Sequence, residues 1–254
     1  IVRQSLGFAG ERDPMDAHED LSRKARERLI DELRRDCASF IEKEIVPRLD
    51  AALAPLACSV EIDREDPQTV LVHYPTAFAS GNAYNPPTVK IEGGARSATL
   101  PAHAVEISPY VASVLPDTAL RTPSVIAIDA ERTFLDKLLI LHGRHCHFRD
   151  KGVIYRDANR ESRHYYDLAV MAETVGPAAL AQPDLLQDVI QHSRIAFGSG
   201  WMRFDEAQDG ELLIVPPDGM RQAVARDYAA MQGMILGDAP PFDEVLGAIA
   251  AIDC

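Results

Sequence analysis

The sequence has few of the features that mark secreted or membrane proteins. No apolar run approaches the ~20 residues that a helix needs to cross a bilayer, and the opening IVRQSLGF shows no signal-peptide cleavage pattern. The 254 residues include only four cysteines, and none of them forms a Cys-x-x-Cys pair. Scattered cysteines are typical of reduced thiols rather than of a disulfide framework. We therefore expect a cytoplasmic protein that makes no contact with a membrane.

Basic residues are also fewer than acidic residues. The chain has 26 Lys and Arg against 39 Asp and Glu, which gives a formal net charge of −13. An acidic surface repels phosphate backbones, so the composition argues against broad nucleic-acid binding, although a local basic site is compatible with it. Hydrophobic residues make up 46% and charged residues 26%, as is typical of a globular chain with one large domain or two small ones.

Hydrophobic periodicity predicts an α+β protein. Apolar residues recur every fourth position from Leu21 to Leu49 and predict a long amphipathic helix. The predicted helices cover residues 19–53, 130–147, 162–175, 183–197, 217–236 and 241–252. Alternating patterns predict strands at 57–63, 68–74, 88–92 and 123–129, and a strand end at 1–4. Strands are thus confined to the first half of the chain, and the second half is helical.

The segment TVKIEGGARS combines a strand with a glycine turn. Side chains alternate along a strand, so Lys90 and Glu92 share one face. Gly93 and Gly94 allow a backbone or a ligand to approach closely, and Arg96 follows them. Two interpretations stay open. The pair is either a surface ion pair, or a carboxylate for a metal ion accompanied by cations for phosphates.

Two later helices carry charged residues at suggestive positions. Lys137 lies beside an apolar stripe, where it can extend to water or hold a polyphosphate. Arg132 and Asp136 are spaced i, i+4, and we expect them to form a surface pair. Arg163 and Asp167 have the same spacing, so they form either a second surface pair or a catalytic Asp oriented by an Arg.

The order of these motifs is more specific than any one of them. A Lys-x-Glu strand, then E-R-T-F-x-D-K on a helix, then R-H-Y-Y-D-L on the next helix resembles the second half of the AbiEii/AbiGii nucleotidyltransferase toxin family. The later family motifs are a strand carboxylate, a helix Lys and an Asp, which fall on Glu92, Lys137 and Asp167. The likeness also includes R-x-x-L-G-F near the start, H-Y-P before the strand and S-G-W near residue 200, so it covers nearly the whole chain.

One family motif is missing. The family's first motif is a Gly-Gly-Thr/Ser turn followed by a D-x-D strand, and no such arrangement occurs here. Glu61–Ile62–Asp63 is only E-x-D, with no glycine turn before it. We expect that Ile1 follows an absent N-terminal portion that carries this motif. The alternative is a natural or engineered truncation that has lost activity.

The resemblance implies a fold and an activity. It implies a nucleotidyltransferase-like mixed sheet with flanking helices in residues 1–129 and a helical C-terminal part in residues 130–254. The implied reaction moves a nucleoside monophosphate from an NTP to an acceptor, which is tRNA, another RNA or a protein. The implied setting is a toxin–antitoxin or phage-defence system with a cognate antitoxin, and the implied cofactor is Mg²⁺ or Mn²⁺. The rival hypothesis is a non-catalytic module that docks a partner protein.

The resemblance also implies roles for single residues. Glu92 would be a metal ligand and Lys137 would neutralise the triphosphate. Asp167 would position a ligand or accept a proton. Further phosphate-binding candidates are Lys90, Arg96 and Arg163.

Two other features have less specific interpretations. HGRHCHFRD contains His142, His145, Cys146 and His147, which invite a zinc interpretation, but no second ligand pair with suitable spacing exists. We expect an exposed helix end there instead. Trp201 is expected to be a core or interface anchor rather than a platform for base stacking.

Overall fold

The structure is a computed structural model, and it describes residues 3–8, 13–15, 21–76, 86–115 and 120–252, with the side chains of Gln4, Ser5 and Asp157 excepted. The chain divides into two compact units, Ile1–Ser97 and Ala98–Cys254. The predicted functional division between residues 129 and 130 stays a prediction. No helix among the described residues is long and apolar enough to span a bilayer.

The first unit is built on one long helical segment. It comprises α1 (Arg23–Phe40), a π-helical stretch (Ile41–Ile45) and α2 (Val46–Leu53). The predicted helix over residues 19–53 is therefore confirmed from residue 23 onward, and residues 19 and 20 lie outside the described part. The middle of the every-fourth-residue stripe, from Leu29 to Ile41, is buried against Phe8, Val70 and Val72, and its two ends are partly buried.

An antiparallel sheet of three strands packs on this helix. Its strands are β1 (Ser59–Ile62), β2 (Thr69–His73) and β3 (Thr88–Glu92), in the order β1-β2-β3. All three predicted strands are confirmed. The predicted strand end at residues 1–4 is wrong where it is described, because Arg3–Leu6 is a 3₁₀ turn. Its Arg3 Nε donates to Asp13 Oδ2 at 2.7 Å, and both side chains are buried.

The second unit opens with a two-stranded antiparallel ribbon. Strand β5 (Thr122–Ile128) confirms a prediction, whereas β4 (Ala102–Ile107) was not predicted. All described strand pairs are antiparallel, so the mixed sheet that we expected is not seen in the described ranges. Parallel pairing needs a crossover connection, usually a helix, and none of the described connections between these strands contains an α-helix.

The described part of the second unit contains seven α-helices, of which α3 (Ala130–Lys151) is the central one and the others pack around it or extend the bundle. The other six are α4 (Ser162–Met171), α5 (Gly176–Leu180), α6 (Pro183–Phe197), α7 (Phe204–Gln208), α8 (Asp218–Met231) and α9 (Phe242–Ala250). All five helices predicted beyond residue 130 are present. The helix predicted over 162–175 ends earlier, at Met171, and Gly176 starts α5 instead of terminating α4. A side chain there would approach Phe134, since a Cβ would lie 3.2 Å from the ring.

Candidate active site

The structure brings together two of the predicted site residues, Lys137 and Asp167. The Lys137 ammonium, from α3, lies 2.5 Å from Asp167 Oδ2 on α4. The Lys137 side chain is 18% exposed and that of Asp167 38% exposed, so the pair lies at the edge of the core and remains open to solvent. An ammonium has three donors, which leaves Lys137 able to bind a further anion while it holds Asp167.

The start of α4 is fixed by an unusual turn and by a cap from another helix. Arg156, Ala158 and Arg160 all have positive φ, between +49° and +58°. Left-handed conformations are costly for side-chain-bearing residues and persist only where the surroundings enforce them. Asp227 of α8 enforces this one, because its carboxylate accepts hydrogen bonds at 2.8 Å from the backbone N–H groups of Arg160 and Ser162. Asp167 is therefore presented by an anchored helix.

The predicted pair between Arg163 and Asp167 is not formed among the described residues. Asp167 binds Lys137 instead, and the exposed Arg163 side chain extends toward solvent. The i, i+4 spacing allows a pair but cannot compete with a lysine held in place by the packing of a neighbouring helix. Arg163 as a phosphate-binding residue stays a prediction.

His164 is a member of this region that the sequence did not indicate. Its Nδ1 is buried and has no hydrogen-bond partner among the described residues. Burial lowers the pKa of His164 to about 3, and the positive charges of Lys137, Arg163 and Arg144 add to this effect. Three cations therefore act on one neutral ring, and two of them, Lys137 and Arg144, are themselves paired with carboxylates.

Arg132 is not the surface residue that its spacing predicts. Its side chain is 2% exposed, and Nη1 donates to the Leu100 carbonyl at 2.7 Å and to the carboxylate of Asp188. The expected pair with Asp136 is present as an ion pair, with Arg132 Nε 4.0 Å from Asp136 Oδ2, but it is not a surface pair, because the Arg132 guanidinium is buried. The guanidinium finds its partners on the chain before β4 and on α6, which i, i+4 spacing on α3 cannot reveal.

Asp136 has an unusual electrostatic environment. Burial raises its pKa to about 6, and the positive charges of Arg132 and Lys137 only partly offset this, while Asp188 adds to the rise. The side chain is still 36% exposed. A carboxyl group beside Lys137 therefore titrates close to neutral pH.

In the first unit, Lys90 and Glu92 share one exposed face of the sheet. Lys90 Nζ lies 3.4 Å from Glu92 Oε1 and 3.7 Å from Asp63 Oδ2. The Lys90 and Glu92 side chains are 50% and 69% exposed, which is the geometry of a surface ion pair. Both residues keep their predicted roles as proposals only.

The glycine turn that follows them meets protein rather than open space. A Cβ on Gly93 would lie 2.5 Å from Ile41 Cδ1, so this glycine lets β3 and the helix pack closely. Arg96, just beyond the turn, is half-buried. Burial lowers its pKa, and the like charge of Arg34 contributes. The carboxylates of Asp66 and Asp31 act in the opposite direction, and Arg96 as a phosphate-binding residue stays a prediction.

The described residues do not complete a metal clamp around Glu92. Three candidate ligand atoms come within 4.8 Å of one another at a single place in the described part of the chain, formed by His142, Cys146 and Glu206. Mg²⁺ prefers an oxygen-rich octahedral site, whereas this group offers one nitrogen, one sulfur and one carboxylate. Glu92 alone cannot hold two metal ions.

Two of the three histidines of α3, His142 and His145, are structural, and our expectation of an exposed helix end is wrong for them. His142 and His145 are both fully buried. His142 Nδ1 accepts from the Leu213 N–H at 3.1 Å, and its Nε2 donates to the Arg203 carbonyl at 3.1 Å. His145 Nδ1 donates to the Leu213 carbonyl at 2.8 Å, and its Nε2 accepts from the Tyr165 hydroxyl at 2.6 Å.

These bonds leave no ring nitrogen of either histidine for a metal. The third member of the group, Glu206, is likewise held by both terminal nitrogens of Arg149, at 2.7 and 2.8 Å. Burial raises the pKa of the Cys146 thiol to about 11, which keeps it protonated. The two histidines thus belong to a structural hydrogen-bond network.

Trp201 belongs to an aromatic cluster. Its ring centroid lies 5.0 Å from that of Tyr155 and 5.2 Å from that of His147. Arg144 stacks on Tyr155 at 3.8 Å from the ring centroid and donates to Glu161 at 3.0 Å. These contacts agree with the predicted role of Trp201 as a packing anchor.

Comparison with known proteins gives one match. A family model described as "Nucleotidyl transferase AbiEii toxin, Type IV TA system" matches residues 19–248. That range includes β3, α3 and α4 with the motifs that they carry. No curated protein matches the chain. No solved structure matches it either.

Proposed function

Since the chain belongs to the nucleotidyl transferase AbiEii toxin family of type IV toxin–antitoxin systems, we propose that it forms part of an enzyme that transfers a nucleoside monophosphate from an NTP to an acceptor. The acceptor would be tRNA, another RNA or a protein. The setting would be a cytoplasmic toxin or phage-defence protein that a cognate antitoxin counteracts.

The observation that supports this proposal is the ion pair between Lys137 and Asp167. The two residues stand at the two helical motif positions of the family, and their charged atoms are 2.5 Å apart at an open edge of the core. Phosphoryl-transfer catalysis depends on positioning and on neutralising charge. Lys137 would bind the triphosphate with its remaining donors, and Asp167 would hold the ammonium in place.

The other predicted residues complete the proposal. Arg163, Lys90 and Arg96 would bind further phosphate oxygens, and Glu92 would contribute a ligand to Mg²⁺ or Mn²⁺. The metal would supply charge stabilisation at the attacking and leaving oxygens. Glu92 needs additional carboxylates for that purpose, because no group of three candidate ligands in the described ranges includes it.

The test is a transfer assay with the natural gene product that contains this chain. The protein would be incubated with Mg²⁺, each α-labelled NTP in turn, and total RNA or protein. We expect label in one acceptor fraction, and we expect Lys137→Ala to lower the rate at least about 100-fold, as removal of one charge-stabilising group does elsewhere.

The matched control is Lys151→Ala, the same substitution at the exposed C-terminal end of α3. It should leave the rate unchanged. If the unchanged protein labels nothing with any of the four NTPs, the non-catalytic docking module becomes the better hypothesis.

A further inference from the structure

Two carboxyl groups flank Lys137, and they are not equivalent. Asp167 accepts a hydrogen bond from the ammonium at 2.5 Å. This carboxylate oxygen is therefore occupied by the Lys137 ammonium, and Asp167 is suited to holding that ammonium in place.

Asp136 differs in both its contacts and its access. It makes no hydrogen bond among the described residues, and its nearest cationic atom, Arg132 Nε, is 4.0 Å away. That Nε is itself buried without a hydrogen-bond partner. The Asp136 side chain is 36% exposed, so a substrate group can reach it from solvent. Apart from this ion pair, the Asp136 carboxylate has no polar partner in the described part of the chain. Asp136 is also the immediate neighbour in sequence of the proposed triphosphate-binding lysine.

The charged groups around Asp136 set its basicity. Arg132 and Lys137 favour the carboxylate, whereas Asp188 and burial favour the neutral acid, and the balance raises the pKa to about 6. A general base works best when its pKa lies near the pH at which the enzyme operates. Asp136 is thus ionised at pH 7.5 and a stronger base than an ordinary aspartate.

Building on the proposed transfer reaction, on which this inference rests, we propose that Asp136 is the catalytic base that accepts the proton of the acceptor hydroxyl. The hydroxyl oxygen forms a bond to the α-phosphorus. The bond from that phosphorus to the oxygen bridging to the β-phosphate breaks, and pyrophosphate leaves with the electron pair. The hydroxyl proton moves to the Asp136 carboxylate. The acceptor is then a hydroxyl compound, as a ribose or a Ser, Thr or Tyr side chain would be.

The test compares Asp136→Asn and Asp136→Glu across pH in the natural gene product, with the acceptor and NTP found in the transfer assay. We expect Asp136→Asn to lower kcat about 10²–10⁴-fold, the usual contribution of a general base, with little change in KM for the NTP. The unchanged enzyme should lose kcat/KM below about pH 6. This acidic limb should vanish in Asp136→Asn and persist, shifted, in Asp136→Glu. Fluorescence of the single tryptophan, Trp201, checks that each variant is folded.

Several outcomes would overturn the inference. If Asp136→Asn keeps the unchanged kcat and the same acidic limb, Asp136 is not the base. If Asp136→Glu is as inactive as Asp136→Asn and shows no acidic limb, the residue acts only through structure. In both cases the proposed function stands, provided that the unchanged enzyme transfers label and Lys137→Ala does not. Absence of transfer by the unchanged enzyme would overturn both.

Discussion

Both halves of α3 carry polar side chains, yet the surroundings of these side chains differ. In the C-terminal half, every ring nitrogen of His142 and His145 is engaged, mostly by the backbone of Leu213 and Arg203. In the N-terminal half, Arg132 Nε is buried without a hydrogen-bond partner, and Asp136 lies just outside hydrogen-bond distance of it. Saturated polar groups stabilise a fold, whereas unsaturated ones beside an open surface remain free to meet a ligand.

The His-x-x-His-Cys pattern of the C-terminal half invites a zinc interpretation, and the sequence favours an exposed helix end over it. The structure shows neither for His142 and His145, because both ring nitrogens of each histidine are engaged in hydrogen bonds and are not available for chemistry. The comparison predicts that substitutions in the C-terminal half affect stability and those in the N-terminal half affect activity.

The largest effect should come from His145→Ala. The substitution removes a buried ring and leaves the Tyr165 hydroxyl and the Leu213 carbonyl without partners, so it should lower the free energy of unfolding by roughly 3–5 kcal/mol. Lys137→Ala should lower it by less than about 1 kcal/mol, because the pair with Asp167 is partly exposed. Urea denaturation followed by Trp201 fluorescence measures both, since this only tryptophan lies in the second unit. Equal losses of unfolding free energy for the two variants would contradict the proposed difference between the two halves of α3.

Acidic pH should have a smaller effect on the stability of the second unit. Burial lowers the pKa of His145 to about 4 and also lowers that of His142, so the unfolded chain binds these protons first. Stability of the second unit should therefore fall as the pH drops from about 6.5 toward about 4. His145 alone should contribute about 2 kcal/mol of loss between pH 7.5 and pH 5. Urea midpoints along a pH series would show it, and His145→Gln, which does not titrate, should have a flatter profile.

The smallest effect should come from zinc. One equivalent of Zn²⁺ should shift the melting temperature of the second unit by less than about 1 °C, because zinc needs a thiolate and a free imidazole nitrogen. Burial keeps Cys146 protonated, and His142 has both nitrogens engaged. Metal analysis after gel filtration gives a second measurement. Stoichiometric zinc that is lost in Cys146→Ala would show that this half of α3 is a metal site after all.

Much of the fold follows from patterns that act over short distances. The every-fourth-residue stripe predicts the long helix of the first unit, and strict alternation predicts β3, because 3.6- and 2-residue periods reflect one buried face. Strand β4 was missed because its residues, AHAVEI, are mostly exposed and its partner β5 is separated from it by 14 residues. The predicted helix end at residue 175 was wrong, since α4 ends at Met171 and Gly176 begins α5 in close approach to Phe134.

The candidate site was predictable only in part. Lys137 and Asp167 were identified through motif order, and their contact could not be predicted by spacing, because it joins residues 30 positions apart. His164, the burial of Arg132 and the environment of Asp136 depend on charged groups from α3, α4 and α6 and on the Leu100 carbonyl. Such environments arise from tertiary packing, which a local sequence pattern does not reveal.

The bonds between α3 and Leu213 have a consequence for the motions of the second unit. Leu213 lies on an irregular segment, and its side chain is 37% exposed, yet both its N–H and its carbonyl are held by buried imidazoles. Its amide can exchange with deuterium only when α3 separates from this segment, because no smaller opening releases the N–H. A residue with the appearance of a surface loop should therefore exchange as slowly as the core of the bundle.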